Sequence, residues 1–179
     1  MSGKPRLRAL EIGSWEGRGT CWFLQNVLTH PTSSITCVDT FAGAPDELAV
    51  HKHLRDAVTH IEKFFDDNIR CIGAQKKVRK IKGRSRDALR TLPLHHFDLV
   101  YIDGSHLAPD VLLDAALCWD ILKVGGIMIF DDYRWKCVKN KRNPLLTPRP
   151  AIHAFRSVFQ GRLKVLSVGT QVIVRKIAE

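Results

Sequence analysis

The sequence predicts an α/β fold: a doubly wound, mostly parallel sheet of seven strands that finishes in an antiparallel hairpin. Three observations carry this expectation. Short apolar runs alternate with amphipathic helical stretches along most of the chain, as in a parallel sheet covered on both faces. The first run ends in a glycine-punctuated loop, Glu11-Ile12-Gly13-Ser14-Trp15-Glu16-Gly17-Arg18-Gly19, which reopens as a helix. The last two runs are separated only by Gly169-Thr170, a link so short that the strands it joins must be antiparallel.

The elements follow in order. Strands are expected at Leu7–Ile12, Ser34–Asp39, Val78–Lys82, Phe97–Asp103 and Gly126–Asp131, then at Leu163–Val168 and Gln171–Arg175. Gly17–Leu28 is expected to be helical, with Cys21, Leu24, Val27 and Leu28 near one stripe. Asp46–Ile72 carries Leu54, Val58, Ile61 and Phe65 at helical spacing. Ser85–Leu92 opens on a residue suited to an N-cap. Leu107–Leu122 has Pro109 in its first turn and an apolar face from Val111 to Leu122. A last helix is expected near Pro150–Phe159.

With 179 residues, 45% of them hydrophobic, the chain is expected to be one domain over residues 1–179. No run approaches the ~18 apolar residues of a membrane span, and the basic start Met1-Ser2-Gly3-Lys4-Pro5-Arg6 lacks the apolar segment of a secretory signal. Cys21, Cys37, Cys71, Cys118 and Cys137 form no Cys-x-x-Cys pair and are expected to be buried reduced thiols. A cytoplasmic protein without membrane contact is the expectation. The net charge is +10, much of it in Lys76–Arg90 and Arg134–Arg149. Such charge invites a nucleic-acid partner, yet no aromatic residue for base stacking lies between Lys76 and Arg90. A small anionic partner or a solvated face fits equally.

The glycine loop is suited to a nucleotide-bearing ligand. Glycine lets a ligand's polar end approach the main chain, and the amides at a strand-to-helix turn face outward. Asp39 ends the next strand, where a carboxylate can accept both hydroxyls of a ribose. A nicotinamide dehydrogenase would share Gly13, Gly17, Gly19 and such an aspartate. It would also need a Tyr-x-x-x-Lys pair, whereas Tyr101 is followed at that offset by Ser105 and Tyr133 by Cys137.

Five segments together look like one family. Glu11–Thr20, Val38-Asp39-Thr40-Phe41, Lys82-Gly83-Arg84-Ser85, Tyr101-Ile102-Asp103-Gly104-Ser105-His106 and Phe130-Asp131-Asp132-Tyr133 resemble the class I S-adenosylmethionine-dependent methyltransferases. Within that class they resemble the small "EIGS…IDGSH…FDDY" group, whose Rossmann-like sheet has seven strands and the same antiparallel ending. The resemblance implies that Glu11, Gly13, Ser14, Trp15 and Gly17 border the methionine part of the cofactor. Asp39 would hold the ribose, with Thr40 and Phe41 beside it, and Gly83 and Ser85 would reach the adenine edge. Asp103 would lie beside the reacting methyl. Relatives often carry a helix before the first strand; its absence here implies a pocket that is more open or completed by a second copy in a homo-oligomer.

Asp103, Asp131 and Asp132 end two strands expected to be neighbours, and their mutual repulsion calls for a cation or protons. Magnesium is the expected metal at that trio, since it takes oxygen ligands and keeps waters that substrate hydroxyls displace; the alternative is a metal-free loop cap. Asp103 and His106 are the expected catalytic pair, His106 as base for a hydroxyl proton, with a helix cap or metal ligand as its other readings. The function these residues point to is O-methylation of a small hydroxyl-bearing acceptor, sugar-like or anionic. An RNA-binding or RNA-modifying domain and a catalytically silent cofactor-binding module remain the alternatives.

Overall fold

The structure is a computed structural model, and it describes residues 2–43, 58–136 and 143–179. The chain divides into two compact units, Met1–Arg84 and Ser85–Glu179.

In the first unit three strands pair in parallel in the order β3-β2-β1: β1 is Arg8–Ile12, β2 Ser34–Asp39 and β3 Val78–Lys82. Ala9, Leu10, Glu11 and Ile12 are all buried, so β1 is covered on both faces and reads as a continuous apolar run interrupted by one acid. Helix α1, Arg18–Asn26, buries Thr20, Phe23 and Leu24, and α2, Ile61–Cys71, buries Ile61, Phe65 and Ile69 at helical spacing. The part of the expected Asp46–Ile72 helix at residues 46–57 lies outside the described residues.

In the second unit the order is β4-β5-β7-β6, with β4 Phe97–Ile102, β5 Leu122–Phe130, β6 Leu163–Val168 and β7 Val172–Lys176. β4 and β5 are parallel, while β7 pairs antiparallel with both β5 and β6, as the Gly169-Thr170 link requires. Ser85–Ala88 forms one helical turn, α3, followed by a 3-10 turn over Leu89–Thr91, so the expected Ser85–Leu92 helix is broken ahead of Pro93. α4, Ala108–Ile121, opens on Pro109 and packs Val111, Ala115, Cys118 and Trp119 inward. α5, Arg149–Val158, contributes Ile152 and Phe155 to the same core. The fifth strand begins at Leu122 rather than Gly126 because Gly125, at φ +85°, lets the chain shift register and keep pairing.

No described helix is long and apolar enough to cross a membrane. The described cysteines are free thiols; Cys37 and Cys118 are buried as expected, whereas Cys71 is exposed at the end of α2 and Cys21 half-buried. Cys137 lies outside the described residues.

Candidate active site

In the first unit the loop after β1 is shaped by Gly13 at φ +81° and Gly17 at φ +83°, with Trp15 also left-handed at φ +47°. A Cβ at Gly17 would stand 2.9 Å from the Phe65 ring, so that glycine is required by space as well as by backbone geometry. Asp39 organises the loop. Its Oδ2 accepts the amides of Ser14 at 2.7 Å and Trp15 at 2.8 Å, and its Oδ1 accepts the Phe41 amide at 2.7 Å. Gly13 N donates to Val38 O at 2.9 Å and Gly17 N to Ser14 O at 2.7 Å. The amides of Gly13, Ser14 and Trp15 are therefore engaged by β2, and that of Gly17 within the loop. The first-turn amides of α1 have no partner inside the helix.

Glu11 is buried at 1% exposure, and its Oε2 accepts Ser14 Oγ at 2.8 Å, Thr20 Oγ1 and the Cys37 thiol at 3.6 Å. Burial pushes its carboxyl above the usual range, the Thr20 and Ser14 hydrogen bonds oppose this, and Asp39 adds to it. Through these bonds Glu11 fastens the loop and α1 to β1 and β2. Thr40 is exposed, with Oγ1 accepting the Ala42 amide at 3.3 Å. Phe41 is buried edge-on against Phe65, with ring centroids 5.4 Å apart, so its ring is core. Gly83 N donates to Asp39 O at 2.9 Å, which ties the end of β3 to Asp39.

In the second unit Asp103, Ser105, His106, Asp131, Asp132 and Pro148 line a small cavity, with Ile102 and Val111 as its apolar wall. His106 Nε2 lies 2.9 Å from Asp132 Oδ2, and its ring stacks on Trp135 with centroids 4.2 Å apart and planes 11° apart. The Tyr101 hydroxyl donates to Asp131 Oδ2, while Asp131 Oδ1 accepts the Asp132 amide at 2.8 Å. Asp132 sits at φ +54°, a conformation unusual for a residue with a side chain and here fixed by these bonds. His106 does not cap α4, which has no side-chain cap; Ser105 Oγ accepts the amide of the N-cap residue Leu107 at 3.1 Å.

The expected magnesium trio is not gathered. Among the described residues no group of three His, Cys, Asp or Glu side chains is arranged to hold a metal. Asp103, Asp131 and Asp132 share the cavity lining, but Tyr101 and His106 supply the positive ends that a cation would otherwise provide. Ser85 is likewise engaged. Its hydroxyl bonds Asp114, a buried carboxyl on α4 that burial pushes up to about 6, rather than standing open to an adenine.

Sequence reasoning passed over Thr20, Cys37, Tyr101, Trp135, Arg149 and His153. Thr20 and Tyr101 stand inside the family-like segments, and the β-strand alternation of Tyr101 was a usable signal. Nothing local marks Trp135 or His153, whose roles arise from distant neighbours: His153 Nε2 is 2.9 Å from the hydroxyl of buried Tyr133.

Comparison with known proteins adds the family. A family model described as a methyltransferase domain matches residues 10–133, well over half of the chain. A search of curated proteins finds no match. Among solved structures, the O-methyltransferase NovP is 21% identical, with 97% of this chain and 72% of that one covered and a TM-score of 0.69. The O-methyltransferase TomG of Streptomyces achromogenes, solved with SAM and involved in tomaymycin synthesis, is 17% identical, with 94% and 72% covered and a TM-score of 0.67. The SAH-bound methyltransferase PaMTH1 of Podospora anserina is 18% identical, with 94% and 71% covered and a TM-score of 0.65. At such identities the likeness establishes the fold, the Rossmann-like α/β architecture with an antiparallel C-terminal hairpin. The family match carries the remaining step: this chain belongs to the methyltransferase-domain family.

Proposed function

We propose that the chain is an S-adenosylmethionine-dependent O-methyltransferase, one domain over residues 1–179, whose acceptor is a small molecule bearing a hydroxyl group. The observation that carries this reading is Asp39: one carboxylate gathers the amides of Ser14, Trp15 and Phe41 and so fixes the shape of the loop. A carboxylate offers about four acceptor positions, so the three amides leave about one for a ribose hydroxyl. The SAM and SAH named for TomG and PaMTH1 agree with this cofactor.

When bound, S-adenosylmethionine supplies an electrophilic methyl group, whose bond to sulfur breaks toward sulfur as the bond to the acceptor oxygen forms. The chain's own residues bind, orient and take a proton. The first-turn amides of α1, without partners inside the helix, would hold the amino-acid carboxylate, aided by the positive end of the helix. Gly13, Ser14, Trp15 and Gly17 form the floor, Thr40 and Phe41 flank the ribose side, and Gly83 closes the adenine side. Glu11 acts from behind, as a positioning residue that holds Ser14 and Thr20. Asp103 and His106 serve the acceptor. His106 receives the hydroxyl proton, and Asp132 at 2.9 Å balances the charge that results. No metal is assigned to the three aspartates.

Two measurements test the reading. Calorimetric titration with SAH is expected to show one site, and radiolabelled SAM is expected to transfer its methyl to hydroxyl-bearing acceptors but not to their deoxy analogues. Absence of SAH binding would overturn it.

A further inference from the structure

Beside the acceptor cavity stands a cationic group that the catalytic reading leaves unused. Pro148 lines the cavity, and the next residue, Arg149, is exposed at the start of α5. Its guanidinium lies 5.3 Å from the centroid of the Tyr133 ring, and its Nε is 3.5 Å from His153 Nε2. His153 in turn bonds the Tyr133 hydroxyl at 2.9 Å, and Tyr133 directly follows the cavity aspartate Asp132. The Tyr133 amide is tied to Thr170 O at 3.0 Å, so the ring that carries the guanidinium is itself anchored. Among the described residues Arg149 forms no ion pair with a carboxylate.

A planar guanidinium held over an aromatic ring loses little freedom on binding and keeps its donor fork open. That fork matches two oxygens of a carboxylate or a phosphoryl group. The His153 Nε2 accepts the Arg149 Nε–H, which helps to hold the guanidinium and leaves its Nη groups to form the fork. Surface arginines usually find an acid nearby, and a chain of net charge +10 supplies fewer of them; yet this arginine is also positioned, which a merely solvated one is not.

We propose that Arg149, oriented by Tyr133 and assisted by His153, binds an oxyanion on the acceptor, a carboxylate or a phosphoryl group, while the acceptor's hydroxyl faces His106. The acceptor class is thus a hydroxyl compound carrying an anionic group. This deepens the O-methyltransferase reading and rests on it for the hydroxyl end only.

The test uses the whole chain, without acceptor. Inorganic phosphate and acetate are titrated separately, at constant ionic strength, while the histidine ring signals are followed by NMR. At least one anion is expected to move the His153 signals saturably. Arg149→Gln is expected to weaken that response at least fivefold and Arg149→Lys to weaken it in part, since the charge survives without the fork. Arg134→Gln, at a neighbouring exposed arginine, is expected to leave it unchanged. A stronger response to phosphate assigns a phosphoryl-bearing acceptor, and one to acetate a carboxylate. The inference is overturned if neither anion moves His153, if sodium chloride reproduces the shift, or if Arg149→Gln responds like the parent. SAH titration of the same samples separates the two readings: loss of SAH binding with the anion response intact would count against the methyltransferase proposal alone.

Discussion

Asp39 and Asp114 show how one residue type serves opposite ends at two positions. Asp39 is a half-buried acceptor surrounded by amide donors, and removing it costs twice. Asp39→Ala forfeits hydrogen bonds to a charged partner worth about 1.5–3 kcal/mol, so SAH affinity should fall roughly 10- to 150-fold by calorimetry. It also releases the Ser14, Trp15 and Phe41 amides, so the thermal midpoint should fall without ligand; unchanged affinity would remove Asp39 from the cradle. Asp114 is buried and holds its proton up to about pH 6 in the folded state, against 3.8 for the ordinary carboxyl. The unfolded chain therefore binds fewer protons across that window, and stability falls as pH rises from about 4 to 6, then levels. Asp114→Asn cannot ionise and can still accept the Ser85 hydroxyl. It should gain over the parent by up to about 3 kcal/mol above pH 6, because each tenfold change in proton affinity is worth about 1.4 kcal/mol, and by little near pH 4. Denaturant titrations at pH 4 and pH 8 check this; an advantage independent of pH would show that ionisation of Asp114 is not its source.

At the scale of elements, the periodic signals were legible and the interruptions were not. β2, β3 and β6 stand at the bounds their apolar patterns predict, because alternation and buried runs are local properties of the chain. The break in Ser85–Leu92 and the early start of β5 depend on tertiary pairing, which Pro93 and Gly125 only hint at. Gly17 is the sharper case. Its left-handed φ was readable from the loop pattern, but its proximity to Phe65 joins α1 to a residue far along the chain. Gly17→Ala combines a left-handed penalty of about 1–2 kcal/mol with a steric contact, and should lower the urea midpoint at constant m. The end of α4 holds a buried device that no pattern revealed. Lys176, fully buried, donates to the carbonyls of Trp119 at 2.9 Å and Leu122 at 3.0 Å, groups that a helix leaves without partners. Lys176→Met fills the same volume yet strands both carbonyls, at about 1–3 kcal/mol each when buried. The thermal midpoint should drop by at least several degrees at about 2–4 °C per kcal/mol, and a stabilised variant would mean that desolvation of the ammonium outweighs its bonds.

For the whole molecule, the candidate site was legible as a set of segments and illegible as a set of bonds. Glu11, Asp39, His106 and Asp132 were all marked by the sequence, but which of them faces a ligand is decided by burial and by partners such as Thr20, Tyr101 and Trp135. The charge of +10 poses the same question at larger scale, since a count says nothing of pairing. Around β3 the structure divides the basic run. Lys80 pairs with Glu62 and Asp66, and Lys82 with Glu62, while Lys76, Arg79 and Arg84 are exposed and form no ion pair among the described residues. Three free cations without interleaved aromatics make a weak, sequence-blind contact with a nucleic-acid strand. Retention of a single-stranded RNA should therefore fall only about 20-fold between 50 and 200 mM salt, from a slope near −0.7 per phosphate contact. Filter binding of a labelled oligonucleotide across that salt range measures the slope directly. The triple variant Lys76→Gln, Arg79→Gln, Arg84→Gln should flatten it while leaving SAH affinity unchanged. A thousandfold fall would require about seven phosphate contacts at that slope, and with them an RNA-binding surface that extends well beyond β3, turning the acceptor question from small anions toward nucleic acid.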